Sequence, residues 1–410
     1  MKLGYISLVL PLFLNANSLL ELVNLSQNNE IAKSAIFKEK SAENILESTK
    51  SAYLPSLSIG SSYINISEER TVNDPKEAFS NYAKISYSIY DGGKKKSLLK
   101  QLNKELQASK FSKTNIKNTL ALNTVSVYFN LLSTSSDILA KTQQIEQLKA
   151  DVNRLKNFKL AGVASQDEVE KIKADLARTQ TEKLELLLSK KDLLFNLREL
   201  TGIKEIKEQK ASLEVPNKFS QKTTPEILAL ENKAEALKYQ AQIDKSSLRP
   251  QVSFENTYTF YDTKVENDIH NSKTSHNQNK LMLSFSWRIF DFDSSNKKYE
   301  ASRLFYEGAK SDLAYQKRKI NLKYSYSIEA LKLAKSRIKS ASLRVKSADL
   351  TFVAISKKFK AGVIDNIVYL DALSDKYSAV AYLNRVKNDY EIKKAEYYYS
   401  AGYSIKEMIK

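Results

Sequence analysis

The sequence has no cysteine and little glycine or proline, with nine and six of these residues in a chain of 410. Without cysteine the protein forms no disulfide, uses no thiol in catalysis and carries no lipid on an N-terminal cysteine. Because glycine and proline interrupt regular structure, their scarcity favours long elements over many small ones. No segment has the roughly 18 continuous apolar residues of a membrane-spanning helix, so strands would have to do any spanning.

The N-terminal residues have the pattern of a secretory signal peptide. Met1 and Lys2 precede the mostly apolar run 3–14, and small or polar residues follow it. This order of basic, apolar and small residues is typical of an export signal, with cleavage expected near Ala16. Residues 1–16 are therefore predicted to be removed on export, although a short buried helix is the alternative.

The composition argues against a nucleic-acid binder, a metal protein and an enzyme. The net charge of +18 comes from 65 basic and 47 acidic residues, but no basic run interleaves with aromatic residues. We interpret the charge as solvated helix faces, with some lysines near lipid head groups. The only histidines, His270 and His276, lie in one polar loop and are too few for a metal site. No cofactor is predicted, and no histidine lies near a plausible nucleophile.

A short turn occurs twice and indicates an internal repeat. The sequence Ala-Gly-Val occupies residues 161–163 and 361–363, each time between two long helical patterns. Since glycine is scarce, these positions mark where the chain reverses. The same order surrounds both turns: a helix, two strands, a long helix, the turn and a return helix. We predict a first repeat at 17–202, an equatorial connector at 203–224, a second repeat at 225–402 and a C-terminal tail at 403–410.

The long helical segments have the length and pattern of a coiled-coil rod. Residues 94–160 contain neither proline nor glycine, and as a helix they would extend about 100 Å. Apolar residues at heptad intervals in their distal half predict a left-handed supercoil. The hairpin helices are predicted at about 94–160, 165–200, 295–360 and 365–400.

Four segments alternate apolar and polar residues with the period of a strand. They cover about 56–66, 81–90, 251–261 and 280–290, long enough to cross a bilayer at a tilt, with one largely apolar face. Four strands cannot close a barrel, and open edges in hydrocarbon would leave backbone groups unpaired. Several chains must therefore pool their strands. A dimer would supply about eight strands and a trimer about twelve, and only the larger barrel leaves room for a water-filled lumen.

Nearly the whole mature chain resembles the TolC-like outer-membrane efflux channels. The resemblance rests on the two turns together with Ala52-Tyr53-Leu54-Pro55-Ser56-Leu57, Leu248-Arg249-Pro250-Gln251-Val252, Ser88-Ile89-Tyr90-Asp91-Gly92-Gly93 and Tyr128-Phe129-Asn130-Leu131-Leu132. It implies a mainly helical chain with a small β part. In a homotrimer, a long α-helical barrel would continue into a β-barrel of about twelve strands in the outer membrane. The helical barrel would lie in the periplasm and receive substrates from an inner-membrane pump through a periplasmic adaptor protein.

The resemblance also implies two kinds of site at the periplasmic end. The pore entrance would be narrowed by acidic side chains; Asp371 matches this pattern, whereas Val368 replaces a second aspartate. Three copies of Asp371 would form an acidic ring that favours cations, although a solvated carboxylate on a coiled coil is the alternative. The turns would dock the adaptor through Ala161, Gly162, Val163, Ala361, Gly362 and Val363.

The gating contacts of the family are only partly present in this sequence. Relatives hold the entrance shut through polar links involving a tyrosine before the second turn and an arginine after it. Phe359 and Ile364 occupy these positions here, while Glu168 keeps the acidic partner position in the first repeat. Iris-like opening of the helical end remains the expected motion, with its contacts undetermined.

The leading hypothesis is a passive exit duct for efflux or type I secretion. Tyr63, Tyr87, Tyr258 and Trp287 are then expected in aromatic girdles at the lipid interface, with packing of a soluble sheet as the alternative. A periplasmic adaptor would instead have one hairpin between β-rich flanks. A soluble scaffold would explain neither the export signal nor the strands. The cargo cannot be predicted, because a wide lumen has no selective pocket.

Overall fold

The computed structural model of the protein describes residues 18–67, 77–264 and 276–410, so the predicted signal peptide lies outside the described residues. The described chain is mainly helical, with one small antiparallel sheet. Within the described ranges, no helix combines the length and apolarity needed to cross a membrane. These findings confirm the predicted fold class of the chain.

Seven α-helices are described, and the four longest form the two predicted hairpins. The segment 94–160 is one helix because it contains no residue that breaks it. The helix that the repeat predicts before the first two strands is instead two helices, because residues 27–29 form a turn. The helices are α1 Leu19–Ser26, α2 Glu30–Ala52, α3 Lys94–Leu160, α4 Gln166–Thr201, α5 Pro225–Ser246, α6 Ser294–Lys360 and α7 Asn366–Ser400, and a short 3-10 helix covers Lys406–Met408.

The four strands form one sheet in the order β1-β2-β3-β4, and all neighbours are antiparallel. The strands are β1 Ser56–Asn65, β2 Glu77–Asp91, β3 Gln251–Lys264 and β4 Asn277–Ser286. Strands β2 and β3 extend further towards their loops than predicted. The prediction for β4 placed its end four residues too late, at 290. Its last residue, Ser286, pairs with Gln251, the first residue of β3, and the preceding Pro250 has no amide to continue the ladder.

The compact units of the chain do not coincide with its sequence repeats. The first, which we call the turn unit, combines residues from 18 to Ser34 with Thr114–Pro225 and Arg318–Lys410. The second, the sheet unit, combines the described residues of Ala35–Lys113 and Glu226–Lys317. Each unit therefore draws on both repeats. The two predicted repeats share the same order of helices and strands, but neither of them is a compact unit by itself.

In the turn unit, the predicted connector 203–224 is fixed to the helices by buried polar groups. The Tyr128 hydroxyl donates to the Gln209 carbonyl at 2.6 Å and accepts from the Gln209 amide at 2.9 Å. The buried Lys394 ammonium donates to the Leu213 carbonyl at 2.6 Å and pairs with Glu391 at 2.7 Å. Because such buried groups are costly to leave unpaired, these contacts hold the connector in one register.

The C-terminal tail packs along this connector. Leu213 and Ile409 form an antiparallel bridge, and the Glu214 amide donates to the Met408 carbonyl at 2.8 Å. The predicted connector and tail are therefore one packed element of the turn unit.

In the sheet unit, each strand pair leads into a long helix through an aspartate. Asp91 accepts from the Lys95 amide at 2.6 Å, and Asp291, its counterpart in the second repeat, accepts from the Ser295 amide at 3.0 Å. These carboxylates satisfy donors of the first helical turn, which have no partner within the helix. The internal repeat therefore includes the aspartates that cap the two longest helices, α3 and α6.

Candidate functional site at the helical turns

Both predicted turns are present and have the same backbone geometry. The φ angles are 75° at Gly162 and 72° at Gly362, a conformation that favours glycine. In the first turn the Val163 amide donates to the Phe158 carbonyl at 2.8 Å, as in a Schellman motif, and the second turn repeats this bond. A side chain at either glycine would meet no atom within 4 Å. Backbone conformation, and not lack of space, therefore requires glycine here.

The side chains of both turns are open to solvent. Val163 is 75% exposed and Val363 is 71% exposed. The neighbouring alanines and glycines are also exposed and present almost no side chain of their own. The exposed residues of each turn therefore form a small apolar surface, on which a second protein could come close to the backbone. The residues of this surface are Ala161, Gly162, Val163, Ala361, Gly362 and Val363.

The helices that leave the turns begin with side-chain caps, and Glu168 belongs to one of them. Its carboxylate accepts from the Ser165 amide at 2.8 Å, and the Ser165 hydroxyl accepts from the Glu168 amide at 3.2 Å. The Glu168 carbonyl accepts from the Asn366 side chain at 3.2 Å, which joins α4 to α7. The Glu168 carboxylate is thus held in a capping box, and its role at the pore entrance stays a prediction.

A different carboxylate, Asp151 of α3, joins the two hairpins. Its side chain is 4% exposed and accepts from the Tyr369 hydroxyl of α7 at 2.6 Å. The Gln147 amide group donates to both partners at 3.1 Å, and Arg154 lies 3.4 Å from the second carboxylate oxygen. Burial, and next the hydrogen bond to Asp151, raise the pKa of Tyr369. The hydroxyl is therefore protonated at neutral pH and acts as the donor.

Phe359 packs on this link instead of supplying a polar contact. Its ring stacks on Tyr369 with centroids 4.3 Å apart, and the Arg154 guanidinium lies 4.6 Å from the Phe359 ring centroid. Such a cation over an aromatic face is attractive. The half-buried Ile364 has no polar side chain to offer. We call Gln147, Asp151, Arg154, Phe359 and Tyr369 the hairpin link. An apolar cluster surrounds it, made of Leu148, Val152, Leu155, Val169, Ile172 and Leu373.

The residues predicted at the pore entrance lie on a separate face of α7. Asp371 is exposed, and Val368 is 45% exposed one helical turn earlier. Since residues three apart share a helix face, these two side chains are neighbours, whereas the buried Tyr369 faces the other hairpin. Among the described residues, Asp371 has no ion-pair partner. Its carboxylate is therefore open to solvent, and its place at the pore entrance stays a prediction.

The predicted interface aromatics lie at different levels of the sheet. Tyr63 pairs with Phe79, eight residues before Tyr87 on β2, which corresponds to about 26 Å along the strand. This separation matches the roughly 25 Å apolar band of membrane strands. Tyr258 pairs with Ala83, halfway between these levels. Trp287 follows β4 at the same end as Tyr87, and its indole donates to the Leu248 carbonyl at 3.1 Å. Tyr63 and Tyr87 thus lie at two levels of the sheet, with Tyr258 between them, and the place of these aromatics at a lipid interface stays a prediction.

One of the two histidines, His276, lies among the described residues. In the part of the chain that the structure describes, no three His, Cys, Asp or Glu side chains form a group that could hold a metal ion. His276 joins the sheet through its carbonyl, which accepts from the Tyr261 amide at 2.8 Å, and His270 lies outside the described residues.

Comparison with known families identifies the class of protein. The model of a family described as outer membrane efflux protein matches residues 22–203 and again residues 220–402. The chain therefore belongs to this family of outer-membrane efflux channels, and the double match confirms the twofold repeat. Membership assigns the protein to the outer membrane. No curated protein sequence matches the chain.

Solved structures agree on the fold. The chain is similar to VceC, an outer membrane protein of Vibrio cholerae, with 14% identity over 94% of this chain and 96% of that one and a TM-score of 0.82. A membrane protein from Pseudomonas aeruginosa gives 13% identity, 94% coverage of both chains and a TM-score of 0.85. The CmeC outer membrane channel of Campylobacter jejuni gives 18% identity, 96% and 90% coverage and a TM-score of 0.82. The fold is therefore that of TolC-like channels.

Proposed function

We propose that the protein is the outer-membrane exit duct of a tripartite export system and works as a homotrimer. The observation that carries this proposal is a sheet with two free edges and an exposed apolar face. Among the described strands, β1 and β4 each pair on one side only. The apolar face includes Ile59 at 82% exposure, Leu281 at 67% and Phe285 at 68%. Lipid is the environment in which such a face is stable.

Closure of the sheet requires copies of the same chain. In hydrocarbon an unpaired strand edge loses its hydrogen bonds to water, so β1 of one copy must pair with β4 of the next. Three copies give about twelve strands, enough for a barrel with a water-filled lumen. The opposite face of the sheet suits such a lumen, because it carries the ion pair between Lys84 and Glu255 at 2.6 Å.

The turn unit carries the contacts proposed with the periplasmic partners. In three copies the hairpins would form a helical barrel in the periplasm, and its turns would meet a periplasmic adaptor. The small exposed turn residues support this docking, since they let a partner helix come close to the backbone. The cargo would be delivered by an inner-membrane pump, which selects it. The duct itself would conduct passively and serve efflux or type I secretion.

The hairpin link would hold the periplasmic mouth in a closed state. The hydrogen bond of Tyr369 to Asp151 joins α7 to α3 and is buried in an apolar cluster. Opening of the hairpins would separate this pair and expose the cluster. We therefore assign to Asp151 and Tyr369 the gating role that Phe359 and Ile364 cannot perform.

Fractionation and mass measurement test the proposed assembly. We expect the protein in the outer-membrane fraction, where only detergent extracts it, and a purified particle with the mass of three chains. A matched variant with two charges on the apolar face, Leu281→Lys with Phe285→Lys, should fail to insert, because lysine in hydrocarbon costs several kcal/mol. Recovery of wild-type protein as a water-soluble monomer would refute the proposal.

A further inference from the structure

One row of the sheet carries two lysines on the face opposite the apolar one. Ser58 of β1 pairs with Lys84 of β2. Lys84 pairs in turn with Thr257 of β3, and Thr257 pairs with Lys280 of β4. Because directly paired residues of an antiparallel sheet project to the same side, these four side chains share one face. We call them the lysine row, which crosses the described sheet from one edge strand to the other.

The same face carries little other charge. Along the four described strands its remaining residues are uncharged, many of them serine or threonine, except for two carboxylates. Glu255 lies two residues from Thr257 on β3, and Asp91 caps α3 at the far end of β2. The charge of the face is therefore concentrated at the lysine row and at Glu255 beside it.

One carboxylate serves both lysines of the row. Glu255 forms an ion pair with Lys84 at 2.6 Å. It pairs across the strands with Met282, which makes Lys280 its diagonal neighbour, at a typical separation of about 7–8 Å. Lys280 is exposed and has no ion-pair partner among the described residues. One positive charge per chain therefore remains unbalanced at this level of the sheet.

Closure of the sheet would turn the row into a ring. In the proposed trimer this face lines the water-filled lumen, so three copies of Lys280 would lie at one level. Rings of charged side chains select ions by their sign, and lysine or arginine rings favour anions. The walls of a narrow lumen also concentrate the field of such charges. The neighbouring hydroxyl side chains carry no charge that would cancel it.

We propose that Lys280 forms an anion-binding ring in the lumen of the barrel and that the exit therefore favours negatively charged cargo. This inference rests on the proposed exit duct. The ammonium groups would bind a multivalent anion through charge-assisted hydrogen bonds. The ring is opposite in sign to the acidic ring predicted for Asp371. Glu255 would limit its strength, because it neutralises Lys84.

Block of single channels by tripolyphosphate in planar bilayers tests the ring. The purified protein is recorded with tripolyphosphate added to each side in turn. In about 0.1 M salt, where the Debye length is about 10 Å, the anion should lower the wild-type conductance in a saturable manner. The block should disappear in about 1 M salt, where the Debye length falls to about 3 Å.

Variants of the row should change the block in opposite directions. Lys280→Gln removes the unbalanced charge and should raise the half-blocking concentration by about tenfold, because a charge-assisted hydrogen bond is lost. Lys280→Arg keeps the charge and should be blocked as the wild type is. Glu255→Gln leaves Lys84 unpaired and should lower the half-blocking concentration. Lys38→Gln, at an exposed position of α2 outside the sheet, controls for net charge and should change nothing.

The outcomes separate the ring from the duct. Equal half-blocking concentrations in Lys280→Gln and the wild type, or a weaker block in Glu255→Gln, would overturn the proposal. An equal effect of Lys38→Gln would also overturn it, because net charge would then explain the block. Channels that tripolyphosphate does not block would refute the ring alone. Absence of channels in the wild type would refute the exit duct and the ring with it.

Discussion

At the scale of residues, the hydrogen bond from Tyr369 to Asp151 joins the two hairpins across 218 positions of sequence. The Asp151 side chain is buried, and its charge is stabilised by the Tyr369 hydroxyl, the Gln147 amide group and Arg154. Such a network is strong while complete, because each lost donor leaves a buried charge less compensated. A small movement of one hairpin against the other would therefore break these contacts and strongly destabilise the closed arrangement.

Tyr369→Phe removes the donor to Asp151 and keeps the ring. A hydrogen bond to a charged group contributes about 2 kcal/mol, so the ratio of closed to open mouths should fall by about thirtyfold. The expected result is a clear rise in conductance in planar bilayers.

Tyr377→Phe is the matched control for this variant. It removes a hydroxyl from the same helix, and that hydroxyl has no hydrogen-bond partner among the described residues. Equal conductance of the two variants would show that the hairpin link does not gate the channel.

Asp371→Asn tests the acidic ring at the pore entrance. Loss of three negative charges should weaken the preference for cations, so the reversal potential in a salt gradient should move towards zero. Asp192→Asn, an exposed aspartate of α4, controls for the change in net charge. An unchanged reversal potential in Asp371→Asn would remove this residue from the pore.

The sequence predicted the residues whose role is local and missed those whose role depends on a distant partner. Gly162 and Gly362 were predictable because a tight reversal needs their backbone freedom. Asp151 and Tyr369 were missed because their contact depends on how the two hairpins are rotated against each other. One signal was available in the sequence. The charged Asp151 directly precedes Val152, one of the apolar residues that recur at heptad intervals in the distal half of α3.

At the scale of elements, the two turns work through backbone conformation. Since φ is positive at both glycines, a side chain there is strained even though space is free. The same reasoning does not apply to Gly308, which lies inside α6 with no positive φ and no atom within 4 Å of an added side chain.

Alanine substitutions at these glycines should have opposite effects. Gly162→Ala should cost about 1–2 kcal/mol, because alanine is strained in the left-handed region. Gly308→Ala should stabilise by about 1 kcal/mol, because alanine favours the helix. Thermal unfolding of the purified protein measures both. A stabilised Gly162→Ala variant would contradict the turn geometry.

The helices were more predictable than the strands. The bounds of α3 agree with the prediction because proline and glycine are absent from 94–160 and Gly92 and Gly93 precede it. Strand ends depend on the partner strand, which the sequence of one strand does not contain. For this reason β4 stops at Ser286: this residue pairs with Gln251, where β3 begins, and β3 has no earlier residue with which β4 could pair.

At the scale of the whole molecule, the repeat and the compact unit are different divisions of the chain. Both repeats contribute to the turn unit and to the sheet unit. Because each compact unit combines segments of both repeats, we do not expect half of the chain to fold alone. The sequence contained the repeat, whereas the packing between repeats became visible only in the structure.

The most direct test of the central claim is the conductance of the purified wild-type protein in planar bilayers. If the chain is an exit duct, a detergent-extracted trimer should insert and give discrete channels of low conductance, which Tyr369→Phe enlarges. A monomer that leaves bilayers silent, in both the wild type and Tyr369→Phe, would contradict the account.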